Sequence, residues 1–477
     1  MPKKRSSLII FLLLTLSILS LACAVTRKEP AVDVEQDRIS TAVAAAQTTA
    51  SSEAAVPSEV PAVTDAPTVT EMPSASEPSP VPAAPLQAVF TDPNSNLWIW
   101  QDGSGARQLD SSGEVEYGLL SDDGGQVAYV RSVDYVNYSL WVVNADGSNQ
   151  RQLLSPDQLL GLLSEPGHET LPADMLSYTI GNMPNILQWL PNSSVLSFTS
   201  TPRHEGPGLM IVGDVYQLDT ISGVRTLVLN TAIGGLPAYS PDGSLMAVVT
   251  PQSISLANAD GTNYHANLLT FPAVITYSEY MYYPEVVWAA DSSHFKVVIP
   301  PADPLAPAPL NAQIWQVNAD ASPGFQVGGV NNSAAFAWPQ LSPDLSRVVY
   351  ERPFGAPADN VHELRNASVG GAEDLLVYTG RLGFVSHHPD SQHFIFWLDE
   401  PTNYQLAQLG GSFAPLTDTG YARSIKWVSS DTFLFFNFTG SAWQLRRQTF
   451  GSPSAVLVEF AGTKDFYPNL DLSGGLE

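Results

Sequence analysis

The chain has 477 residues, a single cysteine, 47 acidic against 21 basic residues, and a formal net charge of −26 at pH 7. This length excludes one small globular domain, although closed all-β architectures can use several hundred residues as a unit. One cysteine excludes an internal disulfide, and the acidic balance makes nucleic acid a poor partner, because few cations are present to neutralise phosphates. An acidic surface suits solubility, cations or a basic partner, and solubility is the simplest of these readings.

The chain opens "MPKKRSSLIIFLLLTLSILSLACAV". Lys3, Lys4 and Arg5 precede an apolar run from Leu8 to Leu21, and small residues surround Cys23, the pattern of an export signal over residues 1–23. "SLAC" (Ser20 to Cys23) resembles the lipobox of bacterial lipoproteins, although Ser20 stands where those proteins usually have an aliphatic residue. The resemblance implies cleavage before Cys23 and lipidation of its thiol, which would anchor the chain to the extracytoplasmic face of a membrane in the cell envelope. Two alternatives stay open: ordinary secretion with a cut after Ala24, and an uncleaved anchor, for which the apolar run is short. The lipid-anchored reading is preferred because the only cysteine stands where lipidation needs it.

Residues 24–85 are built from Ala, Ser, Thr, Pro, Val and Glu and contain no aromatic side chain. Such a segment buries too little apolar surface to offset its ordering entropy, so an extended, disordered tether is expected.

From residue 86 onward, short alternating runs of Val, Tyr, Phe, Trp and Leu are punctuated by Gly, Pro, Asp and Asn, the texture of strands and turns. One pattern recurs seven times: "LLSDDGGQVAYV" (119–130), "QWLPNSSVLSFT" (188–199), "AYSPDGSLMAVV" (238–249), "VWAADSSHFKVV" (287–298), "QLSPDLSRVVYE" (340–351), "SHHPDSQHFIFW" (386–397) and "KWVSSDTFLFFN" (426–437). Its turn column falls at Asp123, Asn192, Asp242, Asp291, Asp344, Asp390 and Ser430. The wide first interval holds an insertion at 155–183, in which Ser155, Pro156 and Gln158 read as a helix cap ahead of Leu159, Leu160, Leu162 and Leu163. A second signature follows several copies: "NADGSN" (144–149), "NADGTN" (258–263) and "NADASP" (318–323).

Each repeat thus reads strand, tight turn, strand, loop, strand, tight turn, strand, and a radially repeated four-stranded antiparallel unit is a β-propeller blade. Residues 87–109 supply only the last three strands of a repeat, and "FYPNLDLSG" (466–474) supplies a first strand. Joining them closes the ring with strands from both termini. The expectation is an all-β propeller over 86–477 with eight blades, seven being the fallback count.

The combination of "SPDG" with "NADGSN" resembles the TolB-type, WD-repeat-related propellers of bacterial envelope proteins, a fold shared by the propeller domains of prolyl-oligopeptidase-type peptidases. The resemblance covers nearly all of 87–474 and implies the fold, while such propellers host many functions.

The repeated aspartates read as scaffold. In "SPDG", Pro241 presets the first corner, Asp242 accepts from nearby amides, and Gly243 ends the turn; Asp123, Asp344 and Asp390 occupy the same place. Asp146 and Asp260 play this part in the second signature. A residue repeated around a ring is structural, and no single loop shows enough oxygen ligands for a calcium shell. No metal or cofactor is expected.

Turns after first and third strands are short and uniform and share one rim, whereas loops after second and fourth strands are long and varied and share the other. Binding is expected on the elaborate rim. The candidates are Tyr135, Tyr138, Arg203, His204, Tyr280, Tyr282, Tyr283 and Phe354; the plainer alternative is that these side chains pack their own loops.

No catalytic residue can be assigned. The chain lacks G-x-S-x-G, a phosphate loop and zincin spacing: "HETLP" (168–172) and "HEGPG" (204–208) have no second histidine. "HHPD" (387–390) reads as a surface corner. The functional expectation is a monomeric, non-catalytic binding or scaffold module for an envelope protein or glycan. The alternative is a propeller glycoside hydrolase or lyase whose carboxylates meet at the central channel, where two carboxylates or a His–carboxylate pair would then be required.

Overall fold

The computed structural model describes residues 85–473, apart from positions 135, 173, 205–211, 278–279, 307–308, 332, 335–336 and 357–358. The signal segment with Cys23, the tether up to residue 84, and Tyr135 lie outside the described residues.

Eight four-stranded antiparallel sheets form the blades of a propeller. Blade 1 joins Gln87–Thr91, Leu97–Gln101 and Gly105–Asp110 from one end of the chain to Leu470–Ser473 from the other. Blades 2 to 8 occupy 115–154, 179–229, 236–270, 287–330, 340–380, 382–415 and 423–461, with strands hydrogen-bonded in chain order. Closure rests on the register Gln87↔Ser473 to Phe90↔Leu470.

The strands form because alternate β-branched and aromatic residues have a packed layer on each side. The second strand of blade 8, Thr432–Phe438, is buried at every position but the last, because neighbouring blades cover both of its faces. Its fourth strand, Ala455–Ala461, has no buried residue, since it lies at the outer edge. Phe433, Phe435, Phe436 and Trp443 are fully buried, each contributing about 1.5–3 kcal/mol of transfer free energy.

Polar contacts stitch the seams between first strands. Trp189 donates its indole N–H to the Leu119 carbonyl (3.4 Å), Gln188 Nε2 to Pro237 O (3.2 Å), and Trp288 Nε1 to Ala238 O (3.1 Å). His387 Nε2 meets Gln340 O at 3.0 Å, and the Leu120 amide donates to Asp471 Oδ2 at 2.8 Å. Each contact gives a carbonyl or carboxylate at the seam a donor from the adjacent blade.

Ser155 caps the helix Pro156–Leu162 in a capping box with Gln158, and Leu159 and Leu162 are buried. They pack with Leu187, Phe198 and Tyr216, so the insertion is part of the core at blades 2 and 3. The first strand of blade 3 is Thr179–Trp189, so the insertion ends at residue 178 rather than 183. A buried pair fastens it: His168 Nε2 lies 3.0 Å from Asp214 Oδ2, while Asp214 Oδ1 accepts the Ser200 amide at 2.6 Å.

Candidate functional site

The plain rim is organised by carboxylate-centred turns. Asp242 Oδ1 accepts the Ser240 hydroxyl (2.6 Å) and the Ser244 amide (3.0 Å); Asp344 does the same with Ser342 (2.6 Å) and Ser346 (3.1 Å). Asp123 accepts from Ser121 (2.6 Å) and the Gly125 amide (2.8 Å). In the second signature, Asp146 accepts the Ser148 amide (2.8 Å) and Asp260 the Thr262 amide (3.0 Å). The Ser240 hydroxyl, then the amide and hydroxyl of Ser244, hold the Asp242 carboxyl down at about 2. In blade 8 the accepting carboxylate is Asp431, not the Ser430 position, because the turn is shorter: the Val428 amide donates to Thr432 O, where Ser240 donates to Leu245 O.

These turns also join blades. The Asp242 amide donates to Ser292 Oγ of blade 5 at 3.1 Å, and the Asp344 amide to Ser391 Oγ of blade 7 at 2.9 Å.

The elaborate-rim candidates separate by burial. Tyr138 is 4% exposed and packs in the core with Leu140 and Phe198, which corrects the expectation of an exposed ring; the Arg203 guanidinium lies 5.7 Å from its centroid. The His204 ring is edge-on to Tyr178 at 5.8 Å. Tyr280 belongs to a two-stranded hairpin, Ile275–Tyr277 with Tyr280–Met281, and its side chain lies outside the described atoms. Tyr283 packs against the core of blades 4 and 5. Tyr282 donates its hydroxyl to Val298 O at 3.1 Å, and its ring meets Trp338 at 5.0 Å. Phe354 alone is mostly exposed among those whose side chains are described.

Trp338 leads to a deep concavity. A cavity of about 860 Å³ is walled by the first strands of blades 4 to 7 and by the segments that enter them. Because first strands run from the elaborate rim to the plain one, Glu285 and Trp338 lie nearer the elaborate rim, and Tyr239 and His387 nearer the plain one. Trp338, Tyr239 and Phe384 are half-buried in its wall, and Gln340 and Glu351 add polar atoms.

The two cavity carboxylates differ. Glu351 Oε1 accepts the Phe384 amide at 3.1 Å and Oε2 lies 2.7 Å from His362 Nδ1, so both its oxygens are committed. Glu285 has no hydrogen-bond partner among the described residues; it is accessible to solvent in the channel but surrounded by protein, which pushes its carboxyl above the usual range. Burial holds His387 down at about 4, so its imidazole is neutral at pH 7.

The sequence reading overlooked Glu285, Trp338, Gln340 and His387. Their signal was positional: Gln340 and His387 fall in the first-strand columns of the repeat, the strands nearest the axis.

One group of side chains among the described residues has metal-ligating geometry: His388, Asp390 and His393, whose ligand atoms lie within 4.8 Å of one another. It stands on the plain rim. His388 is fully buried, which corrects the reading of "HHPD" as a surface corner.

Fold and cavity together define an eight-bladed β-propeller with a ligand-sized chamber in its central channel. No protein-family model matches the sequence, and no curated protein matches it. Among solved structures, the chain is similar to TolB from Acinetobacter baumannii, with 16% identity over 62% of this chain and 64% of that one, at a TM-score of 0.30. It is likewise similar to an oligogalacturonate lyase in complex with manganese (16% identity, 68% and 84% covered, TM-score 0.40). A eukaryotic initiation factor is a third (12% identity, 79% and 85% covered, TM-score 0.46). The alignment thus spans slightly less than two thirds of that TolB chain.

Proposed function

We propose that this chain is an exported, lipid-anchored propeller that binds a short glycan in its central channel without transforming it. The observation that carries this reading is the make-up of the chamber: half-buried aromatic surfaces (Trp338, Tyr239, Phe384) beside the Glu285 carboxylate and the polar atoms of Gln340. Sugar rings present apolar C–H faces that stack on aromatic rings, and hydroxyls that carboxylates and amides hydrogen-bond. At about 860 Å³ the chamber holds a ligand of a few rings.

Tyr282 serves this site indirectly, by supporting Trp338 from behind. The anchor reading rests on Cys23 and its flanking residues. Cys23→Ala should release the protein from the membrane fraction; unchanged partition would favour an uncleaved anchor.

The test of the site is a glycan array probed with the full chain, followed by titration of each hit. Trp338→Ala and Glu285→Gln should each weaken binding at least tenfold with thermal unfolding unchanged. A hit that survives both substitutions would move recognition to the rim loops.

One observation favours a catalytic second reading: Glu285 and Glu351 line one cavity, and burial pushes the Glu285 carboxyl above the ordinary carboxylate range. Against it, hydrolysis by two carboxyl groups needs both available, and Glu351 is bonded at each oxygen. Release of reducing ends from an array hit, abolished by Glu285→Gln, would establish the catalytic reading instead.

A further inference from the structure

The first turn of blade 7 departs from its counterparts in its chemistry. In blades 2, 4 and 6 a serine two places before the turn aspartate (Ser121, Ser240, Ser342) donates to that carboxylate, each at 2.6 Å. The same hydroxyl accepts the amide five residues on, at Gln126, Leu245 and Arg347. In blade 7 both ends of this arrangement are imidazoles, His388 replacing the serine and His393 standing five residues on.

The two rings converge on one carboxylate. His388 Nδ1 lies 2.9 Å from Asp390 Oδ1, and His393 Nδ1 lies 2.8 Å from Asp390 Oδ2. The His388 ring is fully buried and wedged edge-on against Trp427, with centroids 4.1 Å apart, so its orientation is set by packing. The Asp390 amide donates to His388 Nδ1 at 3.0 Å, so that nitrogen presents a lone pair, and Asp390 Oδ1 lies 2.9 Å from it while accepting the Gln392 and His393 amides at 2.8 and 3.0 Å. The other ring nitrogen, Nε2, is buried, and the Ser430 backbone lies beside the ring. With the ring proton on Nε2, the Nδ1 lone pair and the Asp390 carboxylate face each other across 2.9 Å. A cation between them would give the Nδ1 and Oδ1 lone pairs a common partner.

We propose that His388, Asp390 and His393 form a binding site for a divalent transition cation of the Zn²⁺ type. Two imidazoles and one carboxylate favour such an ion over Mg²⁺ or Ca²⁺, which prefer oxygen-only shells. Three protein ligands leave at least one position for water or a ligand atom, as in open zinc centres. His393, the partly exposed member, lines a second cavity of about 700 Å³ between blades 7 and 8, whose wall also carries Gln408, Gln448 and Phe413. That cavity gives an ion a route in and room for an exchangeable ligand. The site is separate from the channel chamber and does not depend on how that chamber is used.

The experiment is calorimetric titration of the full chain in detergent, stripped with a chelator and dialysed, with ZnCl₂, and with MgCl₂ and CaCl₂ in parallel. One equivalent of Zn²⁺ should bind and raise the thermal midpoint, with no comparable heat from Mg²⁺ or Ca²⁺. His393→Ala, at a partly exposed position, should lower Zn²⁺ affinity at least tenfold while the metal-free melting curve stays as in the parent. Asp390→Asn should do likewise; if it also lowers the metal-free melt, the His393 variant decides. Binding that persists in His393→Ala, is lost equally in His362→Ala, or is matched by Mg²⁺ would overturn the proposal.

Discussion

Phe90 is the register partner of Leu470, and this antiparallel pairing brings the two ends of the described chain into one sheet. Leu470 is 4% exposed and packs with Phe90, Trp100 and Trp443. Leu470→Ala removes a buried side chain at the ring's closing strand and should destabilise the propeller by about 2–4 kcal/mol in urea unfolding. Val456→Ala, on the exposed fourth strand of blade 8, should change it by less than about 0.5 kcal/mol. Equal effects would show that the closing strand carries no special share of stability.

The turn carboxylates make stability pH-dependent at the acid end. Asp123, Asp146, Asp242, Asp260, Asp291, Asp320, Asp344 and Asp431 are all held below the ordinary carboxylate value by hydroxyl and amide donors. A carboxyl depressed in the folded state stabilises it above the unfolded value, and that contribution is lost as pH falls through the folded one. The contribution of these groups should therefore be constant near neutrality and decline from about pH 4 to pH 2, read by circular dichroism against urea. Asp242→Ala should cost about 1 kcal/mol at pH 7, a deficit that shrinks as pH falls toward 2.

His168 works in the opposite direction. Burial alone would lower its pKa, but the hydrogen bond and charge of Asp214, with the Glu165 carbonyl and charge, outweigh burial and raise it. A raised folded value means the stabilisation is full below about pH 6.5 and is lost as pH climbs through the folded pKa. The insertion should hold more tightly at pH 6 than at pH 9. Hydrogen exchange over 156–163 should report faster opening at the higher pH, and His168→Ala should remove the difference. Removing one partner of so buried a pair should cost about 3 kcal/mol at pH 6.

Gly147 and Gly261 occupy the same place in the "NADG" signature and have nearly the same positive φ, +83° and +80°. A Cβ at Gly147 would meet nothing closer than 3.8 Å, whereas one at Gly261 would lie 2.5 Å from the Val228 carbonyl of blade 3. Gly147→Ala should cost about 1 kcal/mol from backbone conformation, and Gly261→Ala at least about 1 kcal/mol more, measured by urea unfolding.

The glycine pair marks the division between what the sequence determined and what the fold decided. Strand alternation, turn chemistry and the closing strand at 470–473 are local properties, repeated at near-regular spacing, so the blade count and the scaffold role of Asp242 were legible from residue order. The cap at Ser155 was legible for the same reason. Burial of Tyr138 between blades was not, because a loop-flanking tyrosine carries no mark of what the next blade will place over it. The chamber around Glu285, Trp338 and His387 gathers residues from four blades, and the two imidazoles on Asp390 are set by the packing of blade 8 against His388. Those relationships depend on which surfaces the closed ring brings face to face, a property of the tertiary structure that no single repeat contains.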